Sequence, residues 1–139
     1  MVPGALPACM EVRAIDHVNL HIPADGIGAA VEFYEGKLGF ETENVARFES
    51  GEKPFFSFRL ADVCVVHVRP DDEFEPPAGT NYDHVALVLD DDVEAVKAEL
   101  AAADVEIEQE LTPLGATGTA PAVYVRDPFG YLVELKATT

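Results

Sequence analysis

Shifted by 67 positions, this chain reads onto itself without a gap. Asp16-His17-Val18-Asn19-Leu20 returns as Asp83-His84-Val85-Ala86-Leu87, and the same shift lays Asp25 on Asp92, Glu32 on Glu99, Glu41 on Glu108, Glu43 on Glu110, Gly51 on Gly118, Pro54 on Pro121 and Arg59 on Arg126. Hydrophobic class follows the same shift: Leu38 falls on Val105, Phe40 on Ile107, Phe58 on Val125 and Val66 on Val133. Self-similarity at a fixed period outranks any local propensity, because each copy is one supersecondary unit whose apolar face needs its neighbour for cover.

Each copy opens with an alternating strand, Val12 to Ile22 and Tyr82 to Leu89, and passes into a helix of about three turns. Ile27, Ala30, Val31, Tyr34 and Leu38 follow helical spacing in the first; Val93, Val96, Leu100 and Ala103 follow it in the second. Asp91 with Glu94 resembles a capping box for the second helix. Three strands follow in each copy: Glu41 to Phe48, Pro54 to Leu60 and Val63 to Arg69, then Glu106 to Glu110, Ala120 to Arg126 and Tyr131 to Ala137. Asp127-Pro128-Phe129-Gly130 signals the last turn. The plan is α+β, with a βαβββ module over residues 12–70, a Pro-, Gly- and acid-bearing linker over 71–80, and a second βαβββ module over 81–139. Residues 1–11, rich in Pro and small side chains, read as a loose extension, with Met10 a candidate start.

Composition narrows the partners. Lys and Arg number 9 against 26 Asp and Glu, a formal charge of −17, so nucleic acid and anionic membrane surfaces are excluded as main partners by long-range repulsion. No apolar run approaches the ~18 residues of a membrane span, and no signal peptide is recognisable at the start. A hydrophobic fraction of 48%, with 8 Phe and 4 Tyr, is ample for a core. Acidic runs such as Asp71-Asp72 and Asp90-Asp91-Asp92, beside few lysines, suit a protein kept soluble in concentrated salt; the expectation is a cytoplasmic protein of a salt-accumulating organism. Cys9 and Cys64 make no disulfide framework, and Cys64 reads as a small core residue.

Strand parity decides where the polar residues point, since residues two apart share a face. His17, Asn19 and His21 lie opposite Val18, Leu20 and Ile22, and His84 lies opposite Val85, Leu87 and Leu89. The repeat also lays His67 on Glu134, each interrupting an apolar strand, where a polar side chain is costly unless paired or bound. If the modules are related by a pseudo-twofold axis, His17, His67, His84 and Glu134 are four ligands converging on it. Three imidazoles and a carboxylate suit a divalent transition ion, and His17, His84 and Glu134 alone form a 2-His-1-carboxylate set. Taken singly, each reads more simply as a hydrogen-bonded strand residue, and it is the agreement of four positions with one repeat that favours a metal; His67 is alternatively an acid/base group or a neighbour that hydrogen-bonds substrate or a metal-bound water, and His21 reads as a supporting neighbour or structural.

These residues resemble the vicinal oxygen chelate superfamily, which groups glyoxalase I, methylmalonyl-CoA epimerase, extradiol dioxygenases, fosfomycin-resistance enzymes and the metal-free bleomycin-resistance proteins. Its carriers are the two Asp-His-Val-x-Leu strands (16–20 and 83–87), the helix end from Phe33 to Phe40, and Val123 to Glu134. The resemblance implies an open, eight-stranded, barrel-like sheet with helices outside, and a metal on His17, His84 and Glu134. The glyoxalase and epimerase branches carry glutamate or glutamine where this chain has His67, a departure from a straightforward glyoxalase. Closer similarity is to small single-domain glyoxalase-domain or dioxygenase-related members, through His67, Glu73-Phe74-Glu75-Pro76 and Gly115-Ala116-Thr117-Gly118. Tyr124 matches a tyrosine that contacts substrate in fosfomycin-modifying members, or else fills the barrel; Asn19 shares the site face.

The expected function is therefore a metal-dependent lyase, isomerase or dioxygenase that binds adjacent substrate oxygens at Zn, Mn, Fe, Co or Ni, with Glu134 and His67 as catalytic groups. The alternatives are a binding protein that sequesters a small molecule, and a structural dimer whose polar cluster satisfies itself. A homodimer is implied by the resemblance, with barrels completed within or between chains. Lys53, Arg59 and Arg126 are scarce cations for an anionic substrate, although the two arginines read more simply as partners of surface acids.

Overall fold

The computed structural model describes residues 10–79 and 81–139. The expected extension over 1–11, up to residue 9 and including Cys9, and Thr80 of the linker lie outside the described residues.

The first half forms a four-stranded sheet from β1 (His17–Pro23), β2 (Glu41–Glu43), β3 (Phe56–Ala61) and β4 (Cys64–Asp71), in the order β1-β4-β3-β2. Only β1 and β4 run parallel, with His17 level with Val65 and Asn19 with His67. The second half repeats the plan with β5 (Val85–Val88), β6 (Gln109–Leu111), β9 (Ala122–Arg126) and β10 (Leu132–Lys136), in the order β5-β10-β9-β6. Here β5 and β10 are the parallel pair, Ala86 level with Glu134. A parallel pair needs a crossover. Helix α1 (Ile27–Val31), continued by a π-helical segment (Glu32–Lys37), supplies the first, and α3 (Val93–Ala102) the second. A small hairpin, β7 (Leu114–Gly115) and β8 (Gly118–Thr119), completes the ten strands of an α+β fold whose sheets do not close.

One apolar cluster joins the halves. Leu20 and Ile22 of β1, Phe56 and Phe58 of β3 and Val66 and Val68 of β4 meet Val123 and Val125 of β9 and Val133 and Leu135 of β10, with Phe33, Tyr34, Val96 and Leu100 from the helical segments among them. Polar ties cross the same boundary: the Tyr34 hydroxyl donates to Asp127 Oδ2 at 2.6 Å, Lys37 Nζ to the Ala103 carbonyl at 3.0 Å, and the Tyr131 hydroxyl to the His21 carbonyl at 2.7 Å. Asp127 also accepts from the amides of Phe129 and Tyr131, which closes the turn before β10.

Several boundaries move from their sequence expectation. β1 starts at His17 rather than Val12, because β4 offers a partner only from Val65 onward, and Val12 stays 88% exposed. The strand expected over 41–48 is three residues long; Asn44 takes a positive φ of 67°, and Val45–Glu49 forms a short helix, α2, with Val45 and Phe48 against the core. The second helix is capped by Asp92, not Asp91: its Oδ1 accepts from Ala95 N at 2.8 Å. Cys64 is only half-buried. No described helix is long and apolar enough to cross a membrane.

Candidate metal centre

With the core on one face of each sheet, the residues of opposite parity line the other. In the first sheet these include His17, Asn19 and His21 of β1 and His67 of β4. The His17 and His67 rings lie 4.4 Å apart, centroid to centroid, and the Phe55 ring lies 4.2 Å from His67, tilted by 39°. His67 Nδ1 is 2.7 Å from Ser57 Oγ, its cross-strand neighbour on β3, and His17 Nδ1 is 2.7 Å from Asp16 Oδ2. Burial first, then the neighbouring His17, holds the His67 pKa below the usual imidazole value, against an opposing pull from Asp16. A neutral ring keeps one nitrogen lone pair available to a ligand. Asn19 stays exposed and lines a cleft of about 420 Å³ with His21, Tyr82 and Tyr131. His21 pairs with Asp71 at 2.8 Å.

The second sheet presents His84, Tyr124 and Glu134. His84 immediately precedes β5, Tyr124 is cross-strand from Glu134, and the Tyr124 and His84 rings meet edge to face at 5.8 Å. Burial and then the Glu134 carboxylate push the Tyr124 phenol up to about 12, so it holds its proton at neutral pH. Glu134 is only 5% exposed. Its Oε1 lies 3.1 Å from His84 Nε2, while His84 Nδ1 lies 2.5 Å from Asp83 Oδ2.

That last geometry tests the fit of a cation. A neutral imidazole has one N–H and so can donate to one carboxylate only. His84 faces two, one at each ring nitrogen, and the arrangement is satisfied by a second proton or by a positive ion shared with Glu134. The 3.1 Å between His84 Nε2 and Glu134 Oε1 is a hydrogen-bond separation, and adjacent donors ~2.1 Å from an octahedral ion stand about 3 Å apart. The Asp16–His17 and Asp83–His84 contacts are repeat mates and fix each ring through Nδ1, the usual second-sphere support of a ligating histidine. His84 and Glu134 thus fit two positions on a divalent ion.

Within a single chain the four candidate ligands form two pairs, His17–His67 and His84–Glu134, one on each sheet, rather than one cluster. Among the described residues no group of three or more His, Cys, Asp or Glu side chains is close enough to hold a metal ion. Sequence reasoning passed over Ser57, whose place in an aromatic strand and ten-residue spacing from His67 match those of Tyr124 and Glu134. It also passed over Lys136, two residues beyond Glu134 on the same face. Arg59 and Arg126 pair with Glu43 and Glu108, as their surface reading expected.

The family model of the Glyoxalase/Bleomycin resistance protein/Dioxygenase superfamily matches residues 14–135. Virulence protein STM3117 of Salmonella typhimurium is 28% identical over 130 residues, which cover 91% of this chain and 85% of that protein. Its crystal structure superposes with a TM-score of 0.72 at 25% identity, over 94% of this chain and 100% of the other. A lactoylglutathione lyase from Agrobacterium tumefaciens shares the fold, with a TM-score of 0.66 at 20% identity over 93% and 96% of the two chains. By its sequence and by its paired sheets, the chain belongs to the glyoxalase/bleomycin resistance/dioxygenase superfamily.

Proposed function

We propose that this protein is a metal-dependent enzyme acting on a small substrate with adjacent oxygens, and that its site is completed by a second copy of the chain. The His17–His67 pair of one copy and the His84–Glu134 pair of the other would then enclose one divalent ion. The observation that carries the reading is His84 held between two carboxylates, a constellation that a cation shared with Glu134 would satisfy. The separation of the two pairs within one chain supports the sharing. Such an ion, when bound, supplies Lewis acidity to chelated substrate oxygens. Zn, Mn, Fe, Co and Ni all accept this donor set.

The remaining roles follow from what each side chain touches. Glu134 brings negative charge to the ion and orients His84. His67, kept neutral and fixed by Ser57, completes the ligand set or takes a proton from the carbon beside the chelated oxygens. Tyr124, which retains its proton, donates to a substrate oxygen, and Asn19 offers an amide from the facing sheet. The reaction class is proton transfer, addition or oxygenation at a carbon beside the bound oxygens.

Elemental analysis of protein purified without chelator or affinity-tag metal tests the reading. Wild type is expected to carry a stoichiometric divalent ion, and H84A and E134A to lose it. Mixing two variants tests the sharing: H17A/H67A and H84A/E134A each bind no metal alone, while their mixture regains about a quarter of the wild-type content through random pairing of copies. Equal metal in all samples overturns the metal reading. A monomeric protein without metal favours sequestration of a small molecule instead.

A further inference from the structure

Lys136 is the one lysine in the described structure that is buried, at 2% exposure. Lys97 pairs with Glu94 and Glu110, and Lys37 reaches the Ala103 carbonyl. Among the described residues no carboxylate lies within 4 Å of the Lys136 ammonium, although the chain carries 26 acids. The ammonium, with three protons to donate, gives one to the Gly118 carbonyl of the β7–β8 hairpin. Burying a cation without a counter-charge is expensive, and a chain so rich in acids had every means to provide one.

The position of that ammonium matters more than its isolation. Lys136 and Glu134 share the site face of β10, about 7 Å apart along the strand. Their cross-strand neighbours on this face are Ala86 and Tyr124 beside Glu134, and Val88 and Ala122 beside Lys136. The hairpin closes directly over the ammonium: a Cβ on Gly115 would stand 2.7 Å from the lysine nitrogen, so a larger residue there would displace the end of the lysine.

Resting on the metal reading above, we propose that Lys136 is the specificity-determining residue for an anionic substrate. The substrate is a small acid whose adjacent oxygens face Glu134 and whose separate carboxylate or phosphoryl group replaces the Gly118 carbonyl at Lys136. The hairpin carbonyl holds the ammonium until that group arrives.

Calorimetric titration of zinc-loaded full-length protein at fixed ionic strength tests this with two pairs of probes. Lactate against L-malate adds a distal carboxylate; glycerate against 3-phosphoglycerate adds a phosphoryl group. Wild type is expected to bind the member with the additional anionic group at least tenfold more tightly in one pair, which also tells the two anions apart. In K136M the preference disappears with zinc content retained, and in K136R it survives. No preference in either wild-type pair, or a preference that persists in K136M, overturns the inference while leaving the metal reading standing. Wild type that takes up no zinc overturns both.

Discussion

Residues 45–54 and 112–121 occupy the same place in the two halves and have the same length, yet they fold differently. In the first half Val45 and Phe48, one helical turn apart, lay α2 on the core, with the Phe48 ring 5.7 Å from Phe56. In the second, Pro113 removes an amide donor, glycines stand at 115 and 118, and the segment turns back as a hairpin over Lys136. The connector of the first half serves the core and leaves His17 exposed; that of the second covers the site face. Duplication supplied two equal sheets, and divergence of the connectors made one open and one roofed.

The core beneath the two sheets is unequal as well, and here the largest effect is expected. Phe58 and Val125 are repeat mates and both fully buried. F58A removes a ring that meets Tyr34 at 5.1 Å and Phe56 at 5.6 Å, and is expected to cost about 3–5 kcal/mol; V125A is expected to cost about 2 kcal/mol. Urea unfolding of the two variants measures the difference. Equal losses would mean that the halves share the core evenly.

The site pairs differ in the same direction. Glu134 is a buried carboxyl group able to bring negative charge to an ion, whereas His67 is an imidazole partly open to solvent. E134Q is expected to weaken metal binding by about 100-fold and H67Q by about 10-fold, the larger loss following the ligand that neutralises the ion. Competition titration with a chelating dye reads both. A larger loss in H67Q would place the ion on the first sheet and break the assignment.

How much of this was legible in the sequence depends on what kind of information each residue carries. The repeat and strand parity placed Leu20 and Ile22 in the core and His17, Asn19, His67 and Glu134 on the other face, because a two-residue period is written into the chain itself. Strand ends were not legible: Val12 and Ala14 keep the parity of Val18 and Leu20, but whether a partner lies beside them depends on where β4 begins, fifty residues away. The separation of the four ligands into two pairs was hidden for a related reason. The repeat shows that positions are equivalent, not whether equivalent positions meet in one chain or across two. Ser57 and Lys136 obey the same parity and repeat, and so were readable from the chain alone.

Between the halves, Tyr34 and Asp127 form a buried tie whose strength depends on pH. Burial raises the Asp127 pKa above its ordinary value, and the hydrogen bonds from Tyr34 and from the Tyr131 and Phe129 amides pull it back down. A carboxyl raised in the folded state favours folding in acid and loses that contribution as pH rises through the folded pKa. Y34F keeps the ring packing but removes one of the lowering bonds, raising the carboxyl further. It is expected to cost about 1–2 kcal/mol near neutral pH, with a smaller loss once the solution is acidic enough to protonate Asp127. Thermal unfolding of wild type and variant across that range checks the sign; a constant loss would show that Asp127 stays ionised throughout, and a loss that grows on acidification would show that Tyr34 holds the protonated carboxyl better than the carboxylate.

The smallest effect compares the two connectors directly. Gly51 and Gly118 are repeat mates with φ of 82° and 95°, and at neither would an added Cβ meet an atom within 4 Å. Alanine at either position therefore pays only for the left-handed backbone, about 1 kcal/mol. G51A and G118A should unfold at closely similar urea concentrations, even though one lies beside a helix and the other in a hairpin. Gly118 has one further tie, its carbonyl to Lys136, which alanine leaves chemically intact. A loss in G118A well beyond that in G51A would mean that the hairpin is an integral part of the fold. A cover so firmly built would not yield its carbonyl's place at Lys136 to an incoming anion.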